Sequence, residues 1–165
     1  MNPTALIALG SNLGRSKQIL GEAMDRLQSM ARSTLRRSSL WQSTPVDCPP
    51  GSPLFVNAAV AFETLDAETP ESLLASLQEL EREFGRRPKR VLNEPRPLDL
   101  DLIAFGNEIR TSAQLTLPHP RAPLRRFVLE PLNEIAPDFV LPGQLLTVRE
   151  LLERVHSDEQ VIRLS

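Results

Sequence analysis

Pro95-Arg96-Pro97-Leu98-Asp99-Leu100-Asp101-Leu102-Ile103 alternates acids with leucines directly after an arginine. A period of two is the pattern of a β-strand, so Asp99 and Asp101 leave one face about 7 Å apart while Leu98, Leu100 and Leu102 leave the other. Aspartate is disfavoured in strands, and neighbouring like charges repel, so the pair calls for water or a cation. Two readings stay open. One is an edge strand whose solvated face carries two acids. The other is a magnesium site, because magnesium takes oxygen ligands and is commonly held by one or two carboxylates together with substrate phosphates.

The flanks of this strand are basic. Residues 82–96 carry Arg82, Arg86, Arg87, Lys89, Arg90 and Arg96 against Glu83 and Glu94, and residues 119–126 add Arg121, Arg125 and Arg126 without an acid. The whole chain has a formal net charge of −2, so the remainder is acidic. Such a split suits a small polyanion gripped locally better than a long nucleic acid, which selects a broadly basic domain. A solvated charge run is the alternative. An RNA reader on an α+β sheet usually displays exposed aromatics; this chain has no tyrosine, and several of its six phenylalanines and one tryptophan fall at core positions. A two-metal phosphohydrolase is a further alternative.

Length and composition set the frame. At 165 residues the chain reads as one domain, 1–165, able to enclose a hydrophobic core. An apolar fraction of 41% with 24% charged residues places it among globular rather than disordered chains. The prolines gather at 45–53, 88–97, 118–123 and 131–142, marking stiff loops able to close over a ligand. Cys48 is the single cysteine, which fits a reducing compartment. The first ten residues lack a basic leader and nowhere do about 20 apolar residues run together, so a cytoplasmic protein is expected.

Taken in order, residues 5–9 predict a buried strand entering Gly10-Ser11-Asn12-Leu13-Gly14. The glycines lack the Gly-Lys-Ser/Thr ending of a phosphate loop and read as a strand-to-helix turn. Ile19, Leu20, Ala23, Met24, Leu27 and Met30 then recur at helical spacing, with Ser11, Asn12 or Ser16 as the cap. Residues 34–43, with Leu35, Leu40 and Trp41, predict a second strand, and residues 44–53 a stiff loop. Residues 55–62 alternate with both faces mostly apolar, which leaves Asn57 as a polar group in a buried strand. Its amide must find partners or cost about 1 to 3 kcal/mol, and either backbone groups or a polar ligand would serve.

Thr69-Pro70 starts a helix striped by Leu73, Leu74, Leu77, Leu80 and Phe84 and ended by Gly85. Phe105-Gly106-Asn107-Glu108 signals a hairpin, with residues 115–117 returning as a strand. His119 is held between Pro118 and Pro120 and titrates near neutral pH, so both a structural and a functional role stay open. A short helix through Val128, Leu129 and Leu132 follows, and Thr147 with Glu150 forms a capping box for a last helix bearing Leu151, Leu152 and Val155. His156 is expected on that helix's surface without a role. The order strand, helix, strand, strand, helix, strand predicts an α+β ferredoxin-like antiparallel sheet with helices on one face, extended by a hairpin and C-terminal helices.

Gly10-Ser11-Asn12, Thr44-Pro45, Phe55-Val56-Asn57-Ala58-Ala59-Val60, Pro95-Arg96-Pro97-Leu98-Asp99-Leu100-Asp101, and Leu117-Pro118-His119-Pro120 with Arg125 and Phe127 occur in that order. As a set they resemble the 6-hydroxymethyl-7,8-dihydropterin pyrophosphokinase family of folate biosynthesis. The resemblance implies transfer of pyrophosphate from ATP to the hydroxymethyl group of the reduced pterin, with release of AMP. It implies that Asp99 and Asp101 hold two Mg2+ ions and that Arg86 and Arg96 clamp the triphosphate. His119 and Arg125 are implied as further phosphate contacts, and Gln78, Glu81, Leu102 and Thr116 as nucleotide contacts. Asn57 is similar to the residue that reads the pterin edge, Phe55 and Phe127 to the rings that sandwich it, and Gly10, Thr44 and Pro45 to residues lining that pocket. No nucleic-acid or membrane partner is implied, and a monomer is expected.

The family loop often reads Arg-Trp-Gly-Pro-Arg, whereas Leu92-Asn93-Glu94-Pro95-Arg96 here lacks the tryptophan and glycine. Pro88 stands where many members carry a second loop arginine, for which Arg87, Lys89 or Arg90 are the local substitutes. After Thr44-Pro45 either Val46 or Asp47 faces the pterin.

Overall fold

The computed structural model describes residues 2–12, 14–44, 51, 53–85, 97–156 and 159–164. Its centre is β1 (Thr4–Ser11), whose residues Ala5, Ile7 and Leu9 are buried on one face and Leu6 on the other. A strand apolar on both faces must be central, and β1 pairs antiparallel with β4 (Phe55–Glu63) on one side and β5 (Asp99–Phe105) on the other. Beyond β4 come β3 (Trp41–Ser43) and then β8 (Val161–Arg163), giving the order β5-β1-β4-β3-β8. The result is a mixed α+β fold on an antiparallel sheet.

The strand expected over residues 34–43 is two pieces, β2 (Arg36–Arg37) and β3, both paired with β4. Between them Ser38 donates its N–H to the Ala59 carbonyl, while its side-chain Oγ accepts the Ala59 N–H at 2.8 Å. A hydroxyl thus stands in for a backbone carbonyl, which interrupts the ladder without orphaning a buried donor. The outer strand β8 has only three residues, too few for any periodic signal, and is absent from the sequence reading.

Helices cover both faces of the sheet, not one. On the first face α1 (Ser16–Leu27) and α2 (Pro70–Glu83) set Leu20, Ala23, Leu27, Leu73, Leu77 and Leu80 against Ile7, Leu9, Ala58, Val60 and Leu100. On the second, α3 (Arg126–Ile135) and α4 (Val148–Arg154) set Val128, Leu129, Leu132, Val148 and Leu151 against Leu6, Ala59, Ala61 and Ile103. The correction follows from β1 and β4, because an apolar second face left in water would forfeit about 25 cal/mol per Å². Its small residues, Ala59 and Ala61, also let α3 sit close.

Caps divide in the same way. Thr69 accepts the Ser72 N–H at the head of α2, with Pro70 in the first turn, and Gly85 at φ +94° lies just past its end. Thr147 and Glu150 cap α4 reciprocally. None of Ser11, Asn12 and Ser16 caps α1: its N-cap position is Arg15, and Ser11 Oγ instead bonds Ser16 Oγ at 3.0 Å. Residues 115–117 return beside β5 but do not join its sheet: they pair as β7 (Thr116–Leu117) with β6 (Arg110–Thr111) in a separate two-stranded ribbon, with Leu115 and Leu117 in the core shared with Leu100 and Leu102. His156 lies exposed just past α4. No helix among the described residues is long and apolar enough to cross a membrane.

Candidate active site

Leu98, just before β5, and Leu100 and Leu102 within it are buried against α2, and alternation turns Asp99 and Asp101 to the face occupied by α3, where both are half-exposed. The register fixes their neighbours. Gly10 stands opposite Asp99 and Ala8 opposite Asp101, while Asn57 stands opposite Gly10 and Trp41 opposite Asn57. Asp99, Gly10 and Asn57 therefore form one row across three strands, with about 10 Å from the acid strand to the amide strand. A Cβ placed on Gly10 would lie 3.6 Å from Asn57 Oδ1 and 3.8 Å from a Phe55 ring carbon. The missing side chain leaves a flat floor walled by an amide and an aromatic ring.

Asn57 is 3% exposed and donates Nδ2 to Ser43 Oγ at 2.7 Å. That bond fixes the amide plane and answers the cost of burying it with a side-chain partner. Phe127 sits in the first turn of α3 over the same sheet face, its N–H donated to Glu159 Oε1 at 3.1 Å. The Arg125 guanidinium lies 5.4 Å from the Phe127 ring centroid, within reach of its negative π face. Thr44 is locked to the C-terminal segment: its N–H donates to Gln160 O, and its Oγ1 accepts the Gln160 N–H at 3.1 Å.

Toward the opposite edge, an open cavity of about 270 Å³ is lined by Asp101, Leu102, Thr116 and His119 together with Leu74 and Leu115. Glu81 on α2 accepts the Leu100 N–H at 2.8 Å and so ties that helix to the acid strand. Gln78 is exposed on α2, one turn beyond Leu74, and is not among the residues lining the cavity. His119 donates its backbone N–H to Ile103 O at 2.9 Å, and its Nδ1 accepts the Arg121 N–H, which assigns the ring proton to Nε2. Burial, with Arg125 and Arg121 beside it, lowers the His119 pKa below the ordinary 6.5 against the pull of Asp99. The imidazole is thus neutral at neutral pH, a donor through Nε2.

Gly10, Thr44, Phe55, Asn57 and Phe127 thus lie toward one side, and Asp101, Thr116 and His119 line the cavity at the β5 edge together with Leu102 from the opposite sheet face, with Asp99 between. Pro45, Arg86 and Arg96 lie outside the described residues, as do Val46, Asp47, Cys48, Pro88 and the rest of residues 86–96. Ser43, Glu159 and Gln160 were missed by sequence reasoning. A buried polar residue paired to Asn57 was a demand the sequence made without naming the partner, and nothing local marks Glu159 or Gln160.

Among the described residues no group of three or more His, Cys, Asp or Glu side chains is arranged to hold a metal. Magnesium needs less from a protein, since one or two carboxylates suffice when phosphate and water complete its octahedron. Two half-exposed carboxylates on alternate positions of one strand fit that donor set.

A family model described as 7,8-dihydro-6-hydroxymethylpterin-pyrophosphokinase (HPPK) matches residues 6–137. The 2-amino-4-hydroxy-6-hydroxymethyldihydropteridine pyrophosphokinase of Haemophilus influenzae is 39% identical over 163 residues, covering 98% of this chain and 98% of that one. The protein of the same name from Bacillus subtilis is 40% identical over 136 residues, covering 82% of this chain and 79% of its own length. The folic acid synthesis protein fol1 of Pneumocystis carinii is 36% identical over 154 residues, 93% of this chain, which spans 20% of the fungal protein. Among solved structures, wild-type Plasmodium falciparum HPPK-DHPS with pteroate aligns at a TM-score of 0.71 and 14% identity, over 93% of this chain and 42% of that one, a likeness of fold. The chain belongs to the 7,8-dihydro-6-hydroxymethylpterin-pyrophosphokinase family.

Proposed function

We propose that the protein transfers pyrophosphate from ATP to 6-hydroxymethyl-7,8-dihydropterin, giving AMP and the pterin diphosphate for folate biosynthesis. The observation that carries the reading is the row Asp99, Gly10, Asn57, with Asp101 two residues along β5 on the same face, which sets two carboxylates beside a flat, amide-edged slot. In that slot Asn57 offers a donor and acceptor in one plane to the heterocycle edge, and Phe55 and Phe127 supply the stacking faces. Asp99 and Asp101 would hold the magnesium, two ions in our reading, and magnesium bound there would supply positive charge against the triphosphate.

Every other demand falls on positioning. Arg125 presents a fixed charge over the Phe127 ring, and His119 offers Nε2–H to a phosphate oxygen as the neutral imidazole, without taking up a second proton. Arg86 and Arg96 are assigned the triphosphate clamp, and Pro45 the pterin rim. Gln78, Glu81, Leu102 and Thr116 are assigned the nucleotide; for Glu81 the support is its bond to Leu100, which anchors α2 beside the acids. We read the strand order β5-β1-β4-β3 as a ferredoxin-like core to which the β6–β7 ribbon, α3 and α4 are added. The protein is read as one cytoplasmic domain working as a monomer on small molecules. The test is to supply ATP, magnesium and the hydroxymethyl dihydropterin: AMP in step with pterin diphosphate is expected, and ADP or inorganic phosphate alone would overturn the reading.

A further inference from the structure

We propose that the C-terminal segment 159–163 is part of the pterin-binding apparatus, with Glu159 as the residue that positions Phe127; this rests on the function just proposed. The segment lies beyond the residues matched by the family model, which end at 137. Three of its residues connect it to one side of the site. Glu159 Oε1 accepts the Phe127 N–H at 3.1 Å, Gln160 exchanges bonds with Thr44 through its N–H and carbonyl, and Val161 pairs with Ser43, whose Oγ accepts from Asn57. Phe127 and Thr44 thus touch the C-terminal segment directly, and Asn57 is tied to it through Ser43.

Glu159 matters most because of what it holds. The first N–H groups of a helix have no partner within it, and no side-chain cap serves α3 from its own N-cap residue, Arg125. A carboxylate from a distant segment takes that place and also meets the positive end of the helix dipole. Arg126 adds a second tether from the same turn, donating Nη2 to Val155 O at 3.3 Å. With the turn pinned at both residues, the Phe127 ring is set at a fixed height above the sheet, and the ring sets the width of the slot. Glu159 itself need not touch the substrate.

The experiment compares wild-type protein with Glu159→Ala and Glu159→Gln. It reads pterin and nonhydrolysable ATP-analogue affinities by titration calorimetry, and the protection of the Phe127 amide by hydrogen exchange without ligand. Glu159→Ala is expected to lose Phe127 protection and weaken pterin binding roughly tenfold, the scale of one charge-assisted hydrogen bond, with ATP-analogue affinity unchanged. Glu159→Gln keeps an acceptor oxygen and is expected to restore most of both. Unchanged Phe127 protection in the alanine variant overturns the positioning role whatever the protein binds. Lost protection with unchanged pterin affinity, or an equal loss for both ligands, overturns the link to the pterin. If wild-type protein ignores the pterin, the function proposed above fails and this assignment with it, while the exchange result still reports on the cap. Should Glu159→Ala not fold, Glu159→Asp, one methylene short of Phe127, is read by the same two criteria.

Discussion

Gly10→Ala separates the needs of the fold from those of the site, because it should push them in opposite directions. Gly10 is in the central strand, does not have a positive φ, and faces 3.6 Å and 3.8 Å gaps to Asn57 and Phe55 at the position of a Cβ. Those are ordinary contact distances, so a methyl group fits the free protein without moving its neighbours. Glycine in a strand costs roughly 0.5 to 1 kcal/mol relative to alanine, and Gly10→Ala should recover a similar amount, raising Tm by about 1 to 4 °C for a chain of this size. The same methyl stands on the slot floor, where a bicyclic ring must lie flat between two phenylalanines. Forcing one extra methyl into a packed contact costs about 1 to 3 kcal/mol, so pterin affinity should fall about 5- to 150-fold. Thermal unfolding reads the first effect and calorimetric titration the second, with an ATP analogue as the ligand that should be indifferent. A variant that binds the pterin as wild type does, or loses both ligands equally, would refute the placement of the slot over Gly10.

Other consequences concern charge. Asp101→Asn should lower AMP formation by at least about 100-fold while circular dichroism and Tm stay near wild type, since the side chain is half-exposed and its removal leaves no cavity. Glu134→Gln should cost about 1 to 3 kcal/mol in urea unfolding, because the carboxylate accepts from Ser39 N–H and Oγ and from Trp41 Nε1 and so binds α3 to the sheet. Burial tends to raise the Glu134 pKa, but these bonds and Arg163 prevail and hold it below the ordinary 4.5. Its contribution is therefore present above pH 4.5 and lost as pH falls through the folded value, and Glu134→Gln should flatten that acid limb. For His119 the unfolded chain takes up a proton before the folded one, so stability should decline as pH drops from 6.5 toward the folded value, and His119→Gln should remove that slope.

The acid strand and the Asn57 strand were legible because a period of two survives in seven and nine residues and because aspartate or asparagine is conspicuous among leucine, valine and alanine. The Thr69-Pro70 start was legible because a threonine cap is followed by proline in the first turn, and the Thr147-Glu150 start because a capping box lies within four consecutive residues. What escaped was long-range. β8 is too short for a pattern, the Glu159 cap on Phe127 spans 32 positions, and the Ser38 side chain breaks β2 from β3 through a partner 21 positions away. Coverage of both sheet faces was written in Leu6, Ala59 and Ala61, yet small residues mark a buried face less loudly than large ones. The row joining Asp99 to Asn57 through Gly10 depends on register, which only the paired strands supply.

The central claim, that the neighbouring acids of β5 grip divalent cation for a nucleotide, is tested most directly by counting bound Mn2+. Electron paramagnetic resonance titration in the presence of a nonhydrolysable ATP analogue should give two ions per wild-type chain and a loss of protein-dependent binding in the Asp99→Asn, Asp101→Asn double variant. Equal Mn2+ uptake by the wild type and the double variant would contradict the account.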